Sequence, residues 1–392
     1  MKIIGLYLSL LLVLLVSACQ DHGTTTPTPV PTPTPTTATV QVSSGYGSGT
    51  ATIGDSVYVW SNVAPAGQVF DKWTGDVQGM KYPNEWKSKV KLPATGLKVT
   101  ATYKASTNFT WVKETINGSQ VYYYVPAGYK GIVLPFHGLG GNATGWVGAS
   151  SENENFVRYA VANGYAVVVT ESVDRTNKRW SNATTVATNP DILNIDAILA
   201  NLKQRNILTN QANLFGVGMS QGAGFCSLIT YLKNFKSGAL YCVPGLGPVF
   251  DVSTVPVIWN MSRNDVTEEP TRLADGYTNF LKLSNRKIRS EFYANEPSPM
   301  YPERFTTIPG VDVATSNQIY NDLKKGGHLD ANDFVKVNPR QSEAWKTSLS
   351  ASIAANKTLV SEIEDQVFVC YTEHKFHKDS NGRTIAFFNA AL

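Results

Sequence analysis

The sequence predicts an α/β domain preceded by a small all-β domain. From residue 106 to residue 392, short apolar runs that fit buried strands alternate with amphipathic segments that fit helices. Residues 38–105 instead hold short alternating runs separated by Gly, Pro and Asn clusters. The apolar run 214–219 is long enough for one buried parallel strand and ends at a serine between glycines. We therefore expect a mostly parallel sheet with helices on both faces in the C-terminal part.

The composition is that of an ordinary globular protein and argues against nucleic acid as a partner. The 392 residues are 42% hydrophobic and 16% charged, so the chain can bury a large core. The formal net charge is only +4, and Lys and Arg form no dense run. Surfaces that bind nucleic acid are strongly basic, so no nucleic-acid partner is expected.

The first nineteen residues predict export. Lys2 is followed by an almost unbroken apolar run, residues 3–16, which is too short and too close to the terminus for a spanning helix. Residues 16–19 read Val-Ser-Ala-Cys and resemble the lipobox of bacterial lipoproteins, which implies that Cys19 is lipidated. The alternative is a plain secretory signal that is cut near Ala18. We expect an exported lipoprotein of the bacterial cell envelope, tethered at the outer membrane or cell surface.

Two further regions precede the α/β domain. Residues 20–37 are rich in Thr and Pro, which favours an extended polyproline spacer. Within residues 38–105, short glycine and aromatic motifs resemble the divergent InlB B-type bacterial repeat, a surface-associated β module without catalytic residues; these motifs lie at residues 45–50, 54–55, 70–76 and 99–103. Its tryptophans fit either a carbohydrate platform or, as we prefer, the core of a small domain; they are Trp60, Trp73 and Trp86.

Residues 218–222 form a Gly-X-Ser-X-Gly motif centred on Ser220. The serine of such a motif occupies a strained turn between strand and helix, where a flanking side chain would collide with the backbone. An earlier predicted strand leads into residues 137–141, His-Gly-Leu-Gly-Gly. In that loop the backbone N–H of Leu139 can point at a developing oxyanion, with the N–H of Gln221 as second donor. His137 is then interpreted as a residue that shapes the loop.

These motifs together resemble the α/β-hydrolase superfamily over residues 106–392. Within it, the resemblance is to secreted esterases of the feruloyl esterase and polyhydroxyalkanoate depolymerase type. The matching positions are the tyrosine-rich strand 121–126, the loop 137–141, the helix with Asp191 and Asp196, and residues 218–222. The resemblance implies that Ser220 is the nucleophile and that the acid and then the histidine follow it in the chain.

For the acid, the resemblance points to the loop after the strand predicted at 255–261. Asp265 is the preferred candidate there, since an acidic side chain in that loop can orient the histidine. The nearby Glu268 and Glu269 lie further along, and Asp251 is the runner-up.

Three histidines follow Asp265, and the sequence favours His374 as the base. His374 comes after a strand predicted at 366–371 and before a predicted terminal helix. His328 is the runner-up because Gly-Gly-His resembles a motif of feruloyl esterases, although it follows a predicted helix. His377 is the third candidate.

Choosing His374 leaves a long segment, residues 287–365, which we predict to be an inserted helical cap that narrows the cleft. Candidate cleft aromatics, each also a candidate for the core, are Trp146, Trp180 and Trp259. Export permits disulfides, and we favour a bond between Cys226 and Cys242, with the pairings to Cys370 left open. None of these cysteines has the spacing of a metal site.

The sequence therefore predicts a lipid-anchored serine carboxylic-ester hydrolase that needs no metal or cofactor. Its partners would be an ester substrate, with polymers among the candidates, and a membrane. A polyester depolymerase and a feruloyl-type esterase are narrower alternatives. A surface binding lipoprotein with an inactive hydrolase domain is the alternative of another class.

Overall fold

The computed structural model describes residues 36–209 and 213–392. The predicted signal peptide 1–19, the predicted lipidation site Cys19 and nearly all of the linker 20–37 lie outside these described residues. Within them, no helix combines the length and the apolar character that a membrane span requires.

The N-terminal domain is all β, as predicted. A four-stranded sheet has the order β3-β1-β7-β5 and a three-stranded sheet the order β2-β4-β6. Alternate side chains from both sheets form a separate core in which Trp73 is 2% exposed, as core packing of this tryptophan requires. The strands are β1 (Thr37–Ser43), β2 (Gly45–Tyr46), β3 (Gly49–Thr52), β4 (Ser56–Ser61), β5 (Gln68–Gly75), β6 (Lys87–Lys91) and β7 (Leu97–Ala105).

The C-terminal domain is built on an eight-stranded sheet with the order β8-β9-β11-β10-β12-β13-β14-β15. These strands are β8 (Val112–Ile116), β9 (Ser119–Tyr124), β10 (Gly131–Phe136), β11 (Tyr165–Val169), β12 (Leu214–Met219), β13 (Ser237–Tyr241), β14 (Val257–Ser262) and β15 (Ser290–Asn295). Within this sheet β9 runs antiparallel to both of its neighbours, β8 and β11, and all other neighbouring strands are parallel. This order with the second strand reversed is that of the α/β-hydrolase fold. It brings the carboxyl ends of β12 and β14 to one edge, where ligands bind in open α/β sheets.

Helices cover both faces of this sheet. One face packs against α1 (Ser151–Ala162) and α9 (Asn381–Asn389). The other packs against α2 (Pro190–Gln204), α3 (Gln221–Leu232) and α5 (Arg272–Asn285), and the short helix α4 (Val249–Val252) precedes β14. Along β10, Val133 enters the first layer and Leu134 the second, so the strand is buried on both sides. That double burial explains why its sequence is an unbroken apolar run.

A helical insertion, residues 296–372, follows β15 and carries its own apolar cluster. Its helices are α6 (Val313–Lys325), α7 (Ala351–Ala355) and α8 (Lys357–Tyr371). It packs against the β domain, where the ring of Tyr301 stacks on that of Trp60 with centroids 4.7 Å apart. It also packs against α1, since the hydroxyl of Ser151 donates to Glu362 at 2.7 Å. The insertion thus joins the two domains.

Two boundaries predicted for this region are wrong. Residues 290–295, assigned to the cap, form the edge strand β15, whose side chains are only half-buried. Residues 366–371, predicted as a strand, are the last turns of α8. The helix is favoured because its apolar side chains recur at helical spacing and bury in the insertion core; they are Ile363, Val367 and Cys370.

The predicted disulfide between Cys226 and Cys242 is also wrong. Both thiols, and that of Cys370, are free and buried. Cys226 packs between the sheet and the layer of α2, α3 and α5, whereas Cys242 packs on the side of α1 and α9. The two side chains therefore point to opposite faces of the sheet and cannot meet.

Candidate active site

The turn between β12 and α3 holds Ser220 in an unusual backbone conformation. Its φ is 56° and its ψ −128°, a region that costs a side-chain-bearing residue about 1–3 kcal/mol. The flanking glycines are required, because a Cβ on Gly218 would lie 2.2 Å from the carbonyl oxygen of Gly222. A Cβ on Gly222 would lie 2.3 Å from the carbonyl oxygen of Phe136. The tight turn leaves Ser220 partly exposed at the carboxyl edge of the sheet.

Ser220, His374 and Asp265 form one hydrogen-bonded chain. The His374 Nε2 atom lies 2.7 Å from the Ser220 hydroxyl, and its Nδ1 atom lies 2.6 Å from Asp265 Oδ2. Asp265 follows β14 and is 2% exposed, and His374 follows α8. With the proton on Nδ1, the imidazole donates to the carboxylate and accepts the serine proton at Nε2. The structure thus brings together the three residues that the sequence singled out.

The two other candidate histidines make different contacts. His328 Nε2 lies 2.8 Å from the Ser348 hydroxyl inside the insertion. His377 is buried, with Nε2 3.1 Å from Asn295 Nδ2 and Nδ1 3.2 Å from the Ser380 hydroxyl. Burial lowers the pKa of His377 to about 4, so this ring stays neutral at neutral pH. Neither histidine is placed to serve Ser220.

The loop 137–141 lies against Ser220, since a Cβ on Gly138 would be 3.2 Å from the Ser220 Cβ. Gln221 is the first residue of α3, and the first N–H groups of a helix lack intrahelical partners. Among the described residues, neither the Leu139 N–H nor the Gln221 N–H donates a hydrogen bond. Both N–H groups therefore lack an acceptor within the described residues, as oxyanion binding would require.

Buried side chains fix this loop. Burial lowers the pKa of His137 to about 4. Its Nδ1 atom lies 2.8 Å from the Gly138 carbonyl, and its Nε2 atom accepts from the Ser172 N–H at 3.2 Å. The Trp180 indole donates to the His137 carbonyl at 2.9 Å, and the Gln221 side chain bonds both backbone groups of Trp180. A neutral histidine thus holds the loop, as its interpretation as a loop-shaping residue requires.

The three candidate cleft tryptophans belong to the core instead. Trp146 and Trp259 are fully buried and Trp180 is 1% exposed. Trp180 packs face to face with Phe225, with ring centroids 4.6 Å apart, below the loop rather than in a cleft. The core alternative is therefore confirmed for all three, and their prediction as substrate contacts is wrong, because rings that are this deeply buried do not reach a substrate.

Sequence reasoning missed Arg272, the first residue of α5. Its side chain is only 7% exposed, and its guanidinium contacts Asp265 Oδ1. The Arg272 Nη1 atom also lies 3.1 Å from His374 Nδ1. A cation in the first turn of a helix is disfavoured by the helix dipole. An arginine at this position could therefore have indicated an acidic partner.

Glu373, next to His374, connects the loop of His374 to the insertion. Its carboxylate accepts from the His374 backbone N–H at 2.9 Å. From the insertion, Asn338 donates to it at 2.7 Å and Arg340 at 3.3 Å. Arg340 also donates to Glu268 in the acid loop at 2.6 Å. The insertion therefore contacts both the loop that carries Asp265 and the loop that carries His374.

A groove of about 320 Å³ opens beside His374. Its lining is polar, and its charges are paired; the Lys375 ammonium, for example, lies 2.5 Å from Asp365. The lining residues are Pro339, Arg340, Glu343, Glu364, Phe368, His374 and Lys375.

Three potential metal ligands also meet here, since donor atoms of Cys242, Asp265 and His374 lie within 4.8 Å of one another. This donor set suits a metal ion poorly. Burial raises the pKa of the Cys242 thiol to about 12, so it keeps its proton, and the guanidinium of Arg272 already binds the same carboxylate.

Neither a scan of known protein families nor a search of curated proteins finds a match to this chain. Among solved structures, it is similar to an esterase of Pyrococcus furiosus, with 13% identity, 57% of this chain and 98% of that chain covered, and a TM-score of 0.37. It is also similar to TT1662 of Thermus thermophilus, with 15% identity, coverages of 49% and 90%, and a TM-score of 0.35. Est1E of Butyrivibrio proteoclasticus with bound ferulic acid matches at 12% identity, coverages of 47% and 88%, and a TM-score of 0.33. The chemistry of the site is inferred from its own geometry.

Proposed function

We propose that the protein is a serine carboxylic-ester hydrolase. The observation that carries this proposal is the hydrogen-bonded chain from Ser220 through His374 to Asp265, next to two free backbone N–H groups. A serine hydroxyl is a weak nucleophile alone, and it is activated by a base that a third group orients. These parts lie at the carboxyl edge of an α/β sheet, where the fold places ligands.

The geometry supports acyl transfer in two steps. The Ser220 hydroxyl attacks the ester carbonyl while His374 Nε2 takes its proton, and Asp265 stabilises the imidazolium. The N–H groups of Leu139 and Gln221 bind the oxyanion of the tetrahedral intermediate. The imidazolium then protonates the leaving alcohol, and a water molecule activated by His374 hydrolyses the acyl-enzyme. Every step uses side chains and backbone groups of this chain.

Substitutions of Ser220, of His374 and of the runner-up histidine, His328, test the proposal. Ser220→Ala and His374→Ala should each lower the hydrolysis of a chromogenic short-chain ester by several orders of magnitude. His328→Ala is the matched control and should keep activity, because His328 lies inside the insertion. A Ser220→Ala variant with near-normal turnover would contradict the assignment. A wild-type chain that fails to react with a fluorophosphonate would favour a binding protein instead.

For the substrate, we propose that one half of the ester lies in the groove beside His374. Its paired charges and polar lining favour a neutral group with hydroxyls or further esters over an alkyl chain. A panel of short aliphatic esters, aromatic-acid esters of sugars and polyester films tests this. A preference for long alkyl esters would contradict the proposed binding of a polar group in the groove. The panel also separates a feruloyl-type esterase from a polyester depolymerase.

We also propose that the protein is exported and anchored through lipid on Cys19, on the strength of residues 16–19. Cells that express the chain and are fed a labelled fatty acid should incorporate the label. Cys19→Ala should abolish incorporation, whereas a plain secretory protein would carry no label with either residue.

A further inference from the structure

Arg272 is the buried cation closest to the Asp265–His374 pair. Its guanidinium contacts Asp265 Oδ1, and its Nε donates to Glu269 at 3.2 Å. Its Nη2 atom lies 3.8 Å from Glu268, whose other oxygen binds Arg340. Glu268 and Glu269 are about half exposed, whereas Asp265 is 2% exposed. The strongest partner of the guanidinium is therefore the buried carboxylate.

The two oxygens of Asp265 have separate partners. Oδ2 binds His374 Nδ1 at 2.6 Å, and Oδ1 binds Arg272. The 3.1 Å separation of Arg272 Nη1 and His374 Nδ1 follows from this sharing, since both atoms donate to one carboxylate. The terminal torsion of an Asp side chain has a broad energy well, so one hydrogen bond restricts its rotation less than two do. A second donor on Oδ1 narrows the range of orientations further.

We propose that Arg272 is a positioning residue for the acid, which holds Oδ2 towards the base; this inference rests on the proposed function. Two effects of the guanidinium on kcat compete. By pairing with the Asp265 carboxylate, it offsets the cost of burying that charge and positions Oδ2, whereas its own positive charge disfavours the imidazolium that forms on His374 during the reaction. If positioning dominates, loss of Arg272 lowers kcat; if repulsion dominates, loss of Arg272 raises kcat.

Steady-state kinetics of Arg272→Met test the proposal. We expect kcat to fall by about tenfold to a hundredfold, because small errors in catalytic geometry carry such factors, while KM changes by less than about twofold. Arg272→Lys should recover part of the loss, since an ammonium can reach Oδ1 without the fixed fork of the guanidinium. Arg263→Met is the matched control: Arg263 precedes Asp265 in the same loop, is 49% exposed and lies 3.9 Å from Glu296.

A double substitution separates positioning from a general structural effect. If Arg272 acts through Asp265, then Arg272→Met should cost little or nothing further in an Asp265→Asn background. An equal loss in both backgrounds overturns the proposal, as does unchanged or increased kcat in both Arg272→Met and Arg272→Lys. If Arg272→Met does not fold, the cycle is measured with Arg272→Lys. Failure of the proposed function is distinguishable, because the wild-type chain would then hydrolyse no ester, or Ser220→Ala would keep activity, whatever the residue at position 272.

Discussion

Alanine at Gly222 should separate the nucleophile from the oxyanion loop. The new Cβ would lie 2.3 Å from the carbonyl oxygen of Phe136 and 2.4 Å from that of His137. Real Cβ contacts essentially never fall below 3.0 Å, so the backbones must part by the difference between 2.3 and 3.0 Å, about 0.7 Å. Both obstacles are backbone atoms, which cannot rotate away as a side chain can. The start of α3 and the loop 137–141 must therefore move apart.

This displacement acts on the groups that the proposed mechanism uses. Gly222 is two residues from Ser220, and His137 begins the loop that presents the Leu139 N–H. A misplacement of about 1 Å in a catalytic constellation costs on the order of 10²-fold in rate, so kcat/KM should fall by about that factor. Overpacking in a tight contact costs about 1–3 kcal/mol, which should also lower the melting temperature.

Gly224→Ala is the matched control, since it makes the same change two residues further along α3. The nearest neighbour of its new Cβ is the Leu246 Cδ2 atom at 3.9 Å, an ordinary contact. Alanine in a helix interior is favoured over glycine by up to about 1 kcal/mol, so this variant should be as active as wild type and slightly more stable. Hydrolysis of a chromogenic short-chain ester and thermal unfolding give both readouts. Wild-type activity and melting temperature in Gly222→Ala would refute the close backbone packing.

Three further outcomes follow from buried groups. Burial lowers the pKa of His137 and His377 from 6.5 to about 4, so between these pH values the unfolded chain binds more protons than the folded one. The contribution of the two histidines to the free energy of unfolding should be fully present above pH 6.5 and lost as the pH falls towards 4. In His377→Gln the melting temperature should fall less steeply over this range. Arg383 and Glu85 form a buried ion pair between α9 and the β domain, so Arg383→Met should cost about 3–5 kcal/mol in urea unfolding, whereas an equal midpoint would show that the pair contributes nothing. The cysteines at 226, 242 and 370 are free and buried, so reductant should leave the melting temperature unchanged and a thiol reagent should react with them only after unfolding.

The sequence predicted the inner strands well because burial on both faces requires a run of consecutive apolar residues. β10 and β12 are buried on both faces, so each is a short unbroken apolar run. β12 has the predicted bounds 214–219, and β10 ends as predicted directly before residue 137. The edge strand β15 was missed since its half-buried residues include Ser290, Glu291 and Asn295, which give no apolar signal. A half-buried edge strand such as β15 is identified by its hydrogen-bonded pairing with β14, which the sequence does not show.

The errors arose where long-range packing decides the structure. Val367 and Val369 favour a strand by propensity, yet they lie in α8 because one side of that helix covers the insertion core. The disulfide prediction placed Cys226 on the helix after Ser220 and Cys242 at the end of a neighbouring strand, but the two side chains lie on opposite faces of the sheet. Arg272 was missed for the same reason, since its link to Asp265 depends on how α5 returns to the loop after β14.

The insertion between β15 and His374 raises the question of how a distant base still reaches Ser220. The end of the insertion is bound directly to the acid loop: the Asn264 N–H donates to the Thr372 carbonyl at 3.1 Å, and the Asn264 side chain donates to the Tyr371 carbonyl at 2.8 Å. These bonds place the residue that ends α8 next to the acid, whatever the path of the preceding chain. Because the entropy cost of closing a loop grows only slowly with its length, a long insertion is compatible with a precise dyad when its last residues are held in this way.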